Sequence, residues 1–224
     1  MSILVLKIIS FITMIIDHIG IIYFPSNDIF RIIGRISFPI FCFFIVEGYF
    51  HTKNIKKYLS RLLLLGIISE LIFDLLFYNH YCYLGKQNTC FELFMGLLTI
   101  YYFDKLINYK YKILPIMLLV SSILLSNLLL LDYDYKGIIL IFCFYLVNKL
   151  NLSKLKRIMY LSLSVTLFFS LSIISTPNIN YLGIFLCLPF LLTYNSKLGY
   201  NSMVLKYLFY FLYPLHLLIL LVLS

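Results

Sequence analysis

Asp17-His18-Ile19-Gly20 closes one apolar run of the chain, and Arg31-Ile32-Ile33-Gly34-Arg35-Ile36-Ser37-Phe38-Pro39-Ile40-Phe41 opens the next. These two stretches decide the reading of the whole sequence, because they set an acid, an imidazole and two guanidiniums against long hydrophobic segments. A charged side chain at mid-bilayer costs about 2.5–3.5 kcal/mol on insertion scales, so such residues face a protein interior and carry function. Arg31 and Arg35 stand one helical turn apart and point the same way. With Asp17 and His18 they form a constellation suited to binding anions and handling protons.

Over its whole length the chain of 224 residues is 62% hydrophobic and 12% charged, with a mean hydropathy of +0.99. That composition excludes a soluble globular domain and predicts an all-α, polytopic transmembrane bundle forming a single integral membrane domain over residues 1–224. At about 20 residues and 1.5 Å of rise per residue for each crossing, the chain holds about nine spans. They are expected near 3–24, 32–50, 57–78, 91–107, 112–130, 136–149, 156–175, 181–194 and 205–223. The pieces at 136–149 and 181–194 are short for a crossing, so a tilted, half-buried or re-entrant element is an alternative for each. The first run is too long for a signal-peptide core and lacks a basic leader, so it is expected to be retained.

Basic residues alternate between connections and set the orientation. Thirteen of them (Lys53, Lys56, Lys57, Arg61, Lys105, Lys110, Lys112, Lys149, Lys154, Lys156, Arg157, Lys197 and Lys206) fall on one side, against Arg31, Arg35, Lys86 and Lys136 on the other. The N-terminus is therefore expected in the cytoplasm and Ser224 outside. The net charge of +9 reads as this orientation signal and as a contact for anionic membrane lipid, not as a nucleic-acid surface. The cysteine spacing makes no metal site. Cys42, Cys143 and Cys187 lie in apolar runs as small hydrophobes, while Cys82 and Cys90 share one outer connection and can pair if that compartment is oxidising.

The remaining expensive residues collect toward the outer leaflet: Asp74 in the third span, Glu92 opening the fourth and His216 in the last, with Glu47 and Glu70 deeper. Helical spacing aligns Lys7, Ser10, Thr13 and Asp17 on one stripe, stacks Glu70 on Asp74, and aligns Glu92, Gly96 and Thr99. In the last span Lys206, Tyr210, Tyr213 and His216 follow the same steps. A partly wet interior is expected, with Pro39 and Pro214 kinking their helices. Arg31 and Arg35 either pair with Asp74, Glu92 or Glu70 as interhelical glue or hold a ligand, and both roles are compatible. His18 and His216, beside carboxylates, are the candidate acid–base groups. The arginine forks suit phosphate or carboxylate. His51 and His80 read as solvated loop residues.

The ordered motifs resemble the TraX family of membrane proteins, named for the conjugative pilin acetylase. The resemblance rests on Asp17-His18-Ile19-Gly20, Arg31 through Phe41, Glu47-Gly48, Arg61, Ser69 with Phe73-Asp74, and Phe209 through Tyr213-Pro214-Leu215-His216-Leu217, and it covers nearly the whole chain. Asn88-Thr89-Cys90-Phe91-Glu92 departs from it, standing where a threonine followed by leucine is expected. The resemblance implies a bacterial inner- or plasma-membrane acetyltransferase that takes its acyl group from acetyl-CoA, with no metal, and passes it to a peptide, pilin or glycan acceptor. In that role His18 is the expected base, with Asp17 or Glu70 orienting it. His216 and Tyr213 complete the site. Arg31 and Arg35, with Glu47, Asp74 and Glu92 nearby, hold donor or acceptor or stabilise the oxyanion. The competing readings are a proton-coupled small-solute transporter and a non-catalytic assembly subunit.

Overall fold

The computed structural model describes residues 1–197 and 203–224, including all of their side chains except those of Met203 and Lys206. The Lys206 step of the last-span stripe therefore lies outside the described residues. The helices are α1 (Ile3–Tyr23), α2 (Asp28–Gly34), α3 (Ser37–His51), α4 (Ile55–Tyr78), α5 (Thr89–Leu106), α6 (Ile113–Leu128), α7 (Asp134–Lys149), α8 (Lys154–Ser175), a 3₁₀ segment (Ile179–Cys187) running into α9 (Leu188–Leu192), and α10 (Met203–Leu223). Every expected span has its helix, and the bundle is all-α among the described residues. Ile3–Tyr23, Asp28–His51 and Lys154–Ser175 are long and apolar enough to cross a membrane outright.

Asparagines set several helix starts. The side chains of Asn27, Asn54, Asn88 and Asn178 accept from the backbone N–H of Ile29, Lys57, Cys90 and Asn180. Each satisfies a donor that the first turn leaves unpaired.

Two expectations change. The second span begins at Asp28, earlier than expected, and bends at Arg35–Ile36, between α2 and α3. Pro39 explains the bend, since it has no N–H for the Arg35 carbonyl. The short stretch at 181–194, with a tilted, half-buried or re-entrant element as its alternative, extends along the bundle from Asn180, which donates to Asp28 at one end, to Tyr194, which donates to Glu47 at the other. It manages this length because a 3₁₀ helix rises about 2.0 Å per residue against 1.5 Å in an α-helix. Gly183 permits the close passage, since a Cβ there would lie 1.9 Å from the Ile32 carbonyl oxygen.

α3 and α7 form the middle of the bundle. Ile40, Val46, Leu140, Ile141, Phe144 and Tyr145 are fully enclosed, which accounts for the short α7: it is a core helix, walled by protein. The basic connections meet at one end, tied by Arg157 to Glu47 at 3.8 Å, by Tyr49 and Lys149 to Asp104, and by the Met1 amine to the Thr193 carbonyl. The opposite end is closed by the 79–88 connection, whose Gln87 N–H donates to the Leu130 carbonyl. Cys82 is exposed, Cys90 is buried, and both thiols are free. The disulfide considered for them is not formed.

Candidate functional site

A cavity of about 550 Å³ lies among α1, α3, α4, α5 and α10. Its lining starts at the basic end with Lys7, Glu47, His51, Arg61 and Tyr194 and finishes at Asp17, His18, Thr89, Asp132 and Tyr133. Phe11, Phe41, Phe44, Tyr58, Tyr210 and Tyr213 contribute aromatic rings to the wall between.

His18 and His216 meet at the far end. His18 Nδ1 lies 3.0 Å from His216 Nε2, with the rings stacked 5.1 Å apart and 12° from parallel. His216 Nδ1 lies 3.2 Å from the Leu212 carbonyl oxygen. A carbonyl only accepts, so His216 Nδ1 carries a proton and its Nε2 is an acceptor. His18 Nδ1–H then donates to it, leaving the His18 Nε2 lone pair free to act as a base. His18 lines the cavity, whereas His216 is buried behind it.

Asp17 is held by Arg31 at 2.6 Å. Its other oxygen, Oδ1, is buried without a hydrogen-bond partner. Gly34 makes room for this carboxylate, since a Cβ there would lie 2.0 Å from Asp17 Oδ1. Arg35 stacks on Tyr181 at 4.8 Å and reaches the Tyr133 phenol and Asp17 electrostatically. Neither arginine is in the cavity wall; both support side chains that are.

The other expected site residues are placed differently. Glu70 accepts from the Asn88 backbone N–H at 3.0 Å and from its side-chain amide. Asp74 accepts from the Tyr83 N–H at 2.8 Å. Both fasten the 79–88 connection to α4, outside the cavity. Glu92 is fully buried against Gly137 of α7, and its stripe mates Gly96 and Thr99 face the core: Gly96 abuts Ile141 and Thr99 is buried. Ser10 and Thr13 spend their hydroxyls on carbonyls of their own helix. Glu47 lines the basic end, where Tyr194, His51 and Arg157 surround it. Tyr213 lines the cavity with its ring 5.6 Å from His216. Among the described residues no cluster of His, Cys, Asp and Glu is arranged to hold a metal ion.

Asp132 and its partners are the residues that sequence reading passed over. Asp132 accepts from the Thr89 hydroxyl at 2.6 Å, pairs with Lys86 at 3.1 Å and acts electrostatically on His18. Burial alone would raise the Asp132 carboxyl, but the Lys86 ammonium, the Thr89 hydroxyl and Arg35 together hold it below the ordinary carboxylate range. The Asp132 carboxylate in turn raises Lys86 above the ordinary lysine range, against its own burial. Tyr133 stacks on Phe38 at 3.5 Å. The available signal was Leu131-Asp132-Tyr133-Asp134-Tyr135-Lys136, an acidic and aromatic cluster in a connection that otherwise reads as solvated.

Apolar helices around a cavity that ends on an imidazole pair and flanking carboxylates define a membrane-embedded helical bundle with a buried polar site. The chain belongs to the TraX family, whose profile, described as TraX protein, matches residues 2–224. A probable fimbrial assembly protein FimC, serogroup H1, from Dichelobacter nodosus is 41% identical over 69 residues, covering 29% of this chain and 28% of that protein. An uncharacterized protein of Rickettsia prowazekii (strain Madrid E) is 37% identical over 98 residues, 44% of this chain and 36% of its own length. The chain thus matches about a third of the length of these relatives. No solved structure matches.

Proposed function

We propose that this protein is a membrane acyltransferase that moves an acetyl group from acetyl-CoA to an amine, such as a pilin-like peptide N-terminus, or to a hydroxyl. The observation that carries the reading is the free His18 Nε2 at the far end of a cavity whose other end is basic. The cavity is of the size that holds small ligands, about 300–1,000 Å³. Its aromatic wall fits the acylated pantetheine arm of a coenzyme whose nucleotide stays toward the basic end. On this reading the basic end faces the cytoplasm, the chain makes nine passages and Ser224 lies outside.

The donor supplies an activated thioester carbonyl. His18 Nε2 accepts a proton from the attacking amine or hydroxyl as the new C–N or C–O bond forms and the C–S bond breaks, and it returns that proton to the departing thiolate. His216, anchored on the Leu212 carbonyl, fixes the tautomer and ring plane of His18. The Asp132 carboxylate favours the positive charge that His18 carries between the two transfers. Arg31 holds Asp17, and Arg35 backs Tyr133, so both arginines are positioning residues.

TraX membership supports the donor class, and the name of the Dichelobacter relative supports an acceptor among surface appendage proteins. The cavity lining ends at Asp17, His18, Thr89 and Asp132, which suits a reaction chamber better than a transport path. Mass spectrometry of envelope peptides and glycans from cells with and without the protein tests this. A peptide or glycan that loses the mass of one acetyl group in the deletion is expected, and restoration requires His18; an unchanged envelope acetylation profile would overturn the assignment.

A further inference from the structure

Arg61, on α4, lines two hollows at once. The first is the cavity above. The second is an apolar groove between α4 and α10, lined by Leu64, Ile68, Ile72, Phe211 and Pro214 and sharing Arg61, Leu65 and Tyr210 with the first. The other arginines have acidic company: Arg31 pairs with Asp17, Arg157 with Glu47, and Arg35 lies in the field of Asp17. Arg61 makes no ion pair among the described residues. Its Nε is buried with no hydrogen-bond partner, and its guanidinium sits 6.0 Å from the Tyr58 ring and 5.9 Å from the Tyr210 ring. The Tyr210 phenol also hydrogen-bonds the guanidinium, but two neutral rings and a neutral phenol do not offset its charge. A guanidinium left uncompensated near lipid is costly, so an anion is the missing partner. Lys7 lines the same cavity, and Glu47, the acid at that end, is already engaged by Tyr194 and Arg157.

We propose that Arg61 is a phosphate-binding residue at the junction of cavity and groove. Its planar fork matches two phosphate oxygens at once, which a lysine cannot do. Two sources carry that chemistry. One is the pyrophosphate of the coenzyme donor, reached through the cavity, and this source rests on the acyltransferase reading. The other is an anionic phospholipid whose tail fills the apolar groove, and it does not depend on that reading.

The test uses the full chain in nanodiscs, as wild type, Arg61→Gln and Arg61→Lys, with thermal melting to confirm folding. In neutral phosphatidylcholine discs the donor source predicts that Arg61→Gln weakens CoA binding by roughly tenfold to a hundredfold. Arg61→Lys is intermediate and reads the site if the glutamine variant does not fold. Acetyl-pantetheine, which has no phosphate, loses far less affinity than CoA in the same folded variants. The lipid source predicts unchanged CoA affinity, together with loss of co-purifying phosphatidylglycerol from Arg61→Gln in native mass spectrometry. Folded variants with unchanged CoA affinity and unchanged phosphatidylglycerol retention overturn the proposal. If wild type binds no CoA at all, the acyl-donor reading fails, and the phosphate site is then decided by the lipid arm alone.

Discussion

Two groups of acids lie toward the same end of this bundle and serve different ends. Glu70 and Asp74, stacked on α4, spend an oxygen each on backbone N–H groups of Asn88 and Tyr83 and hold a connection in place. Asp17 and Asp132 come from separate elements, line a cavity and flank His18. Each acid of the first group also keeps one oxygen buried without a partner, but away from the cavity; in the second, the unpartnered oxygen of Asp17 and the lone pair of His18 border a void. Ionisable residues near lipid are therefore not by themselves a sufficient sign of a site. What separates glue from chemistry is whether a hollow meets the polar atoms.

Substitutions can break that contrast, and the largest effect is expected at Gly34. Alanine there must displace Asp17 and break its part-buried pair with Arg31, at a cost on the order of 3 kcal/mol. Thermal melting should fall sharply and transfer should fail; a Gly34→Ala protein with native melting would show that Asp17 is not wedged as described. A smaller loss is expected in the other group. Glu70→Ala leaves the Asn88 N–H unpaired, which costs about 1–3 kcal/mol, while transfer per folded molecule stays near wild type. Reduced turnover in the folded fraction would move Glu70 from fastening to chemistry.

The smallest effect concerns Lys86 and Asp132, a half-exposed pair worth about 0.2–1 kcal/mol. Asp132 is held below its unfolded value, so its contribution is present above that value and lost as pH falls through the folded one. Lys86 is raised, so its contribution is complete below its unfolded value and lost as pH rises through the folded one. Protection against hydrogen exchange in 79–88 and 129–134, taken relative to the intrinsic amide rate at each pH, should accordingly be greatest near neutrality and fall toward both extremes. A flat profile would mean that the pair does not hold these connections together.

Much of the fold was legible because spans are long, periodic and separated by alternating charge. The stripe of Lys7, Ser10, Thr13 and Asp17 on one helix and that of Tyr210, Tyr213 and His216 on another also predicted an inward-facing polar seam. Periodicity fixes a helix face but not the neighbour it meets. It therefore could not tell that Glu92 would press on Gly137 in a dry core, or that Arg31 and Arg35 would stand behind the wall. The 3₁₀ crossing was hidden for another reason, since fourteen residues of Ile179–Leu192 are too few for an α-helical span and no local pattern announces a longer rise. Asp132 escaped because a connection that folds inward carries the same polar residues as one left in water.

Whether His18 is the base of the proposed acetyl transfer is read from turnover of His18→Asn in nanodiscs with labelled acetyl-CoA and an amine-bearing peptide. A loss of about 10²–10⁴-fold is expected, with CoA binding and thermal melting unchanged. His18→Asn turning over at the wild-type rate would contradict it.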